Sequence, residues 1–162
     1  MSCRLDCLNK FDHASLVRLY TDLQIRACLG GPVEIGIAEE RAGALCLNQR
    51  ELPAWAIRRS DMSDSRLLGM ISLDPHHDGL DIEVSYELLP EYWGQGYADA
   101  ALKMVLRHAR ETLHMRRLVA ETQARNHISI RLLRRNGFRL EKTLMRFDAI
   151  QYFYSIELSA HG

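Results

Sequence analysis

Tyr92-Trp93-Gly94-Gln95-Gly96-Tyr97-Ala98 runs directly into Asp99-Ala100-Ala101-Leu102-Lys103-Met104-Val105-Leu106-Arg107-His108-Ala109: two glycines one residue apart, then a stretch rich in helix formers. Just upstream, Asp81-Ile82-Glu83-Val84-Ser85-Tyr86-Glu87-Leu88 alternates polar and apolar residues and predicts a strand. Strand, glycine turn and helix together form an arrangement that can bind phosphate. The glycines let backbone N–H groups converge, and a helix start adds further N–H groups backed by the positive end of its dipole. A diphosphate there needs no lysine. The turn lacks the third glycine of the dinucleotide fingerprint and the Gly-Lys-Ser/Thr end of the nucleotide-triphosphate loop, so its meaning depends on the rest of the chain.

The 162 residues, 47% hydrophobic and 26% charged, suit a single domain over residues 1–162 with a sizeable core. No apolar run approaches a membrane span, and no basic segment followed by an apolar one opens the chain, so a cytoplasmic protein with no membrane partner is expected. The cysteines (Cys3, Cys7, Cys28, Cys46) lack Cys-x-x-Cys spacing and have no histidine at zinc-ligand distance, which predicts reduced thiols and no metal. The net charge of zero divides unevenly. Residues 1–90 hold 9 Lys+Arg against 14 Asp+Glu, and residues 91–162 hold 12 against 7. A nucleic-acid binder would carry a clearer basic excess. An anionic first half and a cationic second half fit a cationic substrate and an anionic cofactor, and also fit an ordinary solvated surface.

Taken in order, residues 12–28 place Leu16, Leu19, Leu23 and Ala27 on one helical face, with Asp12 as a cap and Leu29-Gly30-Gly31-Pro32 as the stop. Residues 34–50 predict a second helix with Ile37, Leu45 and Leu47 as its apolar points. Strands are expected at 53–59, 67–73 and 81–88, an antiparallel meander with a polar turn at 60–65 and a hairpin loop at 74–79. His76 and His77 lie in that loop, where histidines are expected to be solvated. A helix over 96–113, burying Ala101, Leu102, Met104, Val105, Leu106 and Ala109, separates the strand at 81–88 from one at 117–122, so these two can pair in parallel. Asn126 caps a helix through 127–135, Asn136-Gly137 ends it, and closing strands follow at 138–141 and 150–158. The order is ααβββαβαββ, an α/β domain with a mixed sheet.

These stretches together resemble the GNAT family of acetyl-coenzyme A-dependent N-acetyltransferases, and more narrowly its branch of ribosomal-protein N-terminal (alanine/serine) acetyltransferases. The resemblance is carried in order by Leu29-Gly30-Gly31-Pro32, Trp55-Ala56-Ile57, Leu68-Gly69-Met70-Ile71-Ser72-Leu73, the Tyr92–Ala98 loop, and Asn126-x-x-Ser129-x-x-Leu132-Leu133-x-x-Asn136-Gly137-Phe138. It covers about residues 10–158. It implies that the strands at 81–88 and 117–122 splay apart, with the pantetheine arm pairing in the opening with the backbone near Leu88 and Leu89. It implies that Gly94, Gln95, Gly96, Tyr97 and Ala98 hold the pyrophosphate through backbone N–H groups, that Asn126 bonds the pantetheine, and that Ser129 sits near the sulfur. The resemblance also implies direct transfer from thioester to amine. The chain departs from the wider family at Trp93, where Arg or Gln is frequent, and at Leu132 and Leu133, where many members carry a tyrosine acid.

An amine attacks a thioester as its free base, so the site must accept a proton. A carboxylate among apolar walls can do this with a raised pKa. Glu83, mid-strand beside the expected splay, is the first candidate and Glu121 the second; water alone, and a merely solvated Glu83, stay open. A backbone N–H near Leu88 can meet the oxyanion, and the Ser129 hydroxyl can meet the leaving thiolate. Arg135, with Arg134, can meet the 3′-phosphate or stand solvated. The expected acceptor is the N-terminal amine of a protein or peptide; a small amine such as an antibiotic, polyamine or amino acid is the alternative, as is a coenzyme A-binding module without turnover. The chain is expected to act as a monomer or homodimer.

Overall fold

A computed structural model of the chain describes residues 2–61, 63 and 65–159; Met62 and Asp64, part of the turn expected at 60–65, lie outside the described residues. Seven strands, β1 (Cys3–Cys7), β2 (Ala54–Arg59), β3 (Gly69–Pro75), β4 (Ile82–Leu88), β5 (Arg117–Gln123), β6 (Arg139–Arg146) and β7 (Ala149–Glu157), form one sheet in the order β1-β2-β3-β4-β5-β7-β6. The helices are α1 (His13–Thr21), α2 (Leu23–Arg26), α3 (Ile35–Cys46), α4 (Tyr97–Glu111) and α5 (His127–Arg135). The mixed α/β class expected from the sequence is observed. β4 and β5 pair in parallel at Glu83 and Val119, and β1–β2, β2–β3, β5–β7 and β6–β7 are antiparallel.

The expected order ααβββαβαββ needs correction at its start, because β1 precedes the helices. Only five residues long and at the sheet edge, it carries Arg4 and Asp6 among its apolar positions, so period-2 alternation is faint. The first helix is also two. Asp22 leaves the helical region (φ −72°, ψ 129°) and its carboxylate accepts the N–H groups of Gln24 and Ile25, capping α2. The break turns Leu23 outward, 75% exposed, and seats Ile25 in the core instead. In α3 the buried stripe is Ala38, Ala42 and Leu45, while Ile37 and Leu47 face solvent.

The chain packs as two compact units. The first comprises residues up to Ser72 together with Tyr86–Ala101. Its core joins Leu16, Leu19, Ile25, Ala42, Leu45, Ala56, Met70 and Leu89. Asp12 is no side-chain cap for α1; its carboxylate takes the Arg58 guanidinium in a two-pronged pair at 2.9 Å, both side chains nearly fully buried. Gly69 lets β3 and β4 approach closely, since a Cβ there would fall 2.2 Å from the Glu87 carbonyl oxygen.

The second unit comprises Leu73–Ser85 and the residues from Leu102 onward. Leu118, Val119 and Ala120 are consecutive buried residues of β5, the signature of a strand covered on both faces. β6 and β7 form a hairpin closed by Phe147 and Asp148, both at positive φ (53° and 57°), and β7 lies between β5 and β6. β6 is mostly exposed, which hid most of its length from hydrophobic patterning.

Candidate functional site

In the first unit, the end of β4 runs through a single tight turn, Pro90–Tyr92, into the glycine loop. The Trp93 indole N–H donates to the Leu88 carbonyl at 2.8 Å, and the Gln95 side-chain amide donates to the Glu91 carbonyl at 3.0 Å. Gly94 and Gly96 both take positive φ, 72° and 85°, and no atom lies within 4 Å of where their Cβ would be. The glycines are therefore needed for backbone direction, not for space. Gly96 accepts the Ala100 N–H at 3.1 Å and so opens α4. Gly94, Gln95 and Gly96 are exposed, Ala98 is half-buried, and the Tyr97 ring is buried in the core. An exposed glycine backbone at the start of a fifteen-residue helix fits a diphosphate group.

Leu89 corrects part of the expectation for pantetheine pairing. Its N–H donates to Leu68 at 2.9 Å and its carbonyl accepts from Tyr92 at 3.0 Å, so both groups serve the fold. Neighbouring residues of a strand alternate in direction, which turns the Leu88 N–H away from β3. Leu88 alone keeps that edge.

Glu87, not singled out by the sequence, is a mostly buried carboxylate on β4. Burial pushes its pKa up to about 7, against the opposing pull of Arg26, whose Nη1 lies 3.7 Å away. Its Oε2 has no hydrogen-bond partner among the described residues. Arg26 also donates to the carbonyls of Leu29 and Gly31, closing the turn between α2 and α3.

In the second unit, Glu83 and Glu121 lie together. Glu83 Oε2 accepts the Glu121 backbone N–H at 3.1 Å. Burial raises the Glu83 pKa, and that hydrogen bond opposes the rise. The Glu121 carboxylate is engaged at both oxygens: Oε1 is 3.2 Å from His76 Nε2, and Oε2 is 3.2 Å from Arg146 Nε, an ion pair without aligned hydrogen-bond geometry. His76 overturns the expectation of a solvated loop histidine. It is 2% exposed, its ring edge-on to Phe153 with centroids 5.0 Å apart. His77 is exposed, beside Phe147. Pairing with Glu121, forty-five residues away, is what draws His76 inward, and local sequence does not announce it.

Asn126 caps α5 as expected, its Oδ1 accepting the Ser129 N–H at 3.2 Å, and Ser129 is half-buried. Leu132 and Leu133 are buried, and Arg134 and Arg135 are exposed in the last turn. Among the described residues, no group of His, Cys, Asp and Glu could hold a metal ion, and no helix is long and apolar enough to cross a membrane.

An acetyltransferase (GNAT) domain model matches residues 5–139. An uncharacterised N-acetyltransferase of Bacillus subtilis (strain 168), YoaA, is 31% identical in an alignment of 96 residues that covers 57% of this chain; the chain thus spans about half of that relative's length, 52%. In fold, the chain is similar to a GNAT-family acetyltransferase from Bacillus anthracis (TM-score 0.82, 16% identity, 98% of this chain and 96% of that one). It is equally similar to a spermidine N-acetyltransferase from Vibrio cholerae in complex with CoA and spermine (TM-score 0.82, 16% identity, 97% and 96%). The family model, covering most of the chain from β1 to the first residue of β6, decides the matter: this chain belongs to the GNAT acetyltransferase family.

Proposed function

We propose that the chain is an N-acetyltransferase that moves the acetyl group of acetyl-coenzyme A directly to a primary amine. The observation that carries this reading is Glu83, a carboxylate in β4 whose burial raises its pKa, at a residue pair where β4 and β5 are in register. Bound acetyl-coenzyme A supplies the thioester. Glu83 takes the proton of the acceptor amine at its carboxylate, and its raised pKa makes it a stronger base than an ordinary carboxylate. Glu121 is the weaker base candidate, since both its oxygens are already engaged. The backbone N–H groups of Gly94 to Ala98 hold the pyrophosphate, and the Leu88 N–H, turned away from β3, donates to the carbonyl oxygen where charge develops. The Asn126 amide holds the pantetheine, the Ser129 hydroxyl meets the sulfur, and Arg135 meets the 3′-phosphate.

The acceptor we infer is a polypeptide N-terminal amine. We take the acceptor to be held by residues 28–52, where Leu29, Ile35, Ile37 and Leu47 all expose apolar side chains, which suit a peptide better than a small hydrophilic amine. The test is a calorimetric titration with acetyl-coenzyme A, followed by thiol release against peptides with free N-termini and against small amines. Saturable binding near micromolar, about −8 kcal/mol, with turnover on peptides supports the reading. Turnover on small amines alone overturns the acceptor, and binding without turnover on either class leaves a coenzyme A-binding module.

A further inference from the structure

His76 is a buried titratable group for which the proposed reaction has no direct use. Its Nδ1 accepts the backbone N–H of Asp78 at 3.2 Å, with Asp78 Oδ2 3.5 Å away. A ring nitrogen that accepts a hydrogen bond carries no proton, so the ring holds its hydrogen on Nε2. Nε2 therefore donates to Glu121 Oε1. The other Glu121 oxygen faces Arg146, and Arg146 Nη2 reaches Asp78 Oδ1 at 3.2 Å, closing a cycle of His76, Glu121, Arg146 and Asp78. Lys142 Nζ adds a second cation 3.6 Å from Asp78.

The cycle grips the Glu121 side chain, 6% exposed, while the backbone N–H of the same residue ends on Glu83 Oε2. Pairing with Phe153 of β7 fixes the strand there, and with it the direction of that N–H, so the grip on the side chain sets where the Glu121 charge lies relative to Glu83. We propose that His76 and Glu121 are positioning residues: the Nε2–H tautomer of His76 holds Glu121, and Glu121 holds and electrostatically tunes the Glu83 carboxylate. This rests on the reading of Glu83 as the proton acceptor.

The charged and titratable groups facing Glu83 are Glu121 on β5, Asp74 on β3 and His76 just after β3. The two carboxylates favour its protonated form; the Glu121 N–H and any positive charge on His76 favour the ionised form. Two substitutions should therefore move Glu83 in opposite directions. His76→Phe keeps the bulk beside Phe153 but removes the donor, leaving the Glu121 charge less compensated, and Glu83 should titrate higher. Glu121→Gln removes that charge while keeping the shape, and Glu83 should titrate lower.

The readout is the Glu83 side-chain carboxyl carbon in 13C-labelled protein, assigned with Glu83→Gln and titrated without any acceptor. A midpoint raised by about half a pH unit or more in His76→Phe and lowered by a similar amount in Glu121→Gln is expected. His76→Gln, which can both donate and accept, should restore a midpoint near wild type. Midpoints that stay put, or move in the same direction, overturn the positioning role, as does a proton found on Nδ1 by 15N shifts of the ring. Should His76→Phe fail to fold, the Glu121→Gln midpoint decides. Undiminished turnover in Glu83→Gln overturns the base reading whatever the midpoints do, so the two failures are distinguishable.

Discussion

The Trp93 indole donates its N–H to the Leu88 carbonyl oxygen at 2.8 Å, tying the glycine loop to the end of β4. This bond thus joins the Gln95–Glu91 and Tyr92–Leu89 bonds in setting the distance between the strand edge and the loop that follows it. Trp93→Phe keeps the ring and loses the donor. A single hydrogen bond contributes about 1 kcal/mol net, so the affinity for acetyl-coenzyme A should fall about fivefold while the melting temperature barely changes. Calorimetry beside a thermal melt checks this. An unchanged affinity would mean that the loop holds its shape without the indole.

Gly96 adopts φ +85° with open space where a Cβ would stand. Substitution there costs backbone strain of about 1–2 kcal/mol rather than a clash, with β-branched residues worst and asparagine most tolerant. Gly96→Val should weaken binding of acetyl-coenzyme A about tenfold or more, and Gly96→Asn should weaken it less. Equal, wild-type-like affinity in both would remove this loop as the pyrophosphate site.

Glu83→Gln should leave cofactor binding intact and lower kcat at least tenfold, the loss expected when a general base is removed. The wild-type kcat/KM profile should fall on the acid side at a pH above the ordinary carboxylate range, since burial raises the Glu83 pKa. That limb should be absent from the residual activity of the variant. A profile shared by both proteins would assign the limb to another group.

Glu87 makes a prediction about stability rather than activity. Its pKa rises from 4.5 to about 7 on folding, so between these values the folded chain binds more protons than the unfolded one. Stability must then fall as pH rises through that window, by about 3 kcal/mol at most. Glu87→Gln, which leaves Arg26 bonded to Leu29 and Gly31, should melt higher than wild type at pH 8 and close to it at pH 4.5. Urea denaturation at both pH values measures this, and a variant less stable at pH 8 would show that the Arg26 pair outweighs the burial.

Much of the local backbone around the candidate site was legible because it is set within a few residues. Gly94 and Gly96 mark a positive-φ turn, Asn126 marks a helix start, and Asn136-Gly137 its end; each acts within a few residues. What could not be read depends on contacts between distant residues. His76 looks like a solvated loop histidine until β5 and β7 supply Glu121 and Phe153. Asp12 looks like a helix cap until Arg58 claims its carboxylate. Glu87 reads as a polar-face residue of an alternating strand, and only Arg26 and its own burial make it unusual. β1 and β6 lie at opposite edges of the sheet, where hydrophobic alternation is weakest.

The placement of β7 between β5 and β6 has a kinetic consequence. β6 has no other neighbour in the sheet, so it cannot join before its successor in the chain is in place. The β6–β7 hairpin, turning on adjacent Phe147 and Asp148, can close within microseconds, as short hairpins do. Its docking against β5, some thirty residues earlier, is the slower event because a longer loop must close first. Residues 139–157 therefore enter the sheet as a preassembled ribbon. Until they do, β5 keeps an open edge, and the segment from Arg117 to Gln123 is where a partly folded chain would pair with the wrong strand.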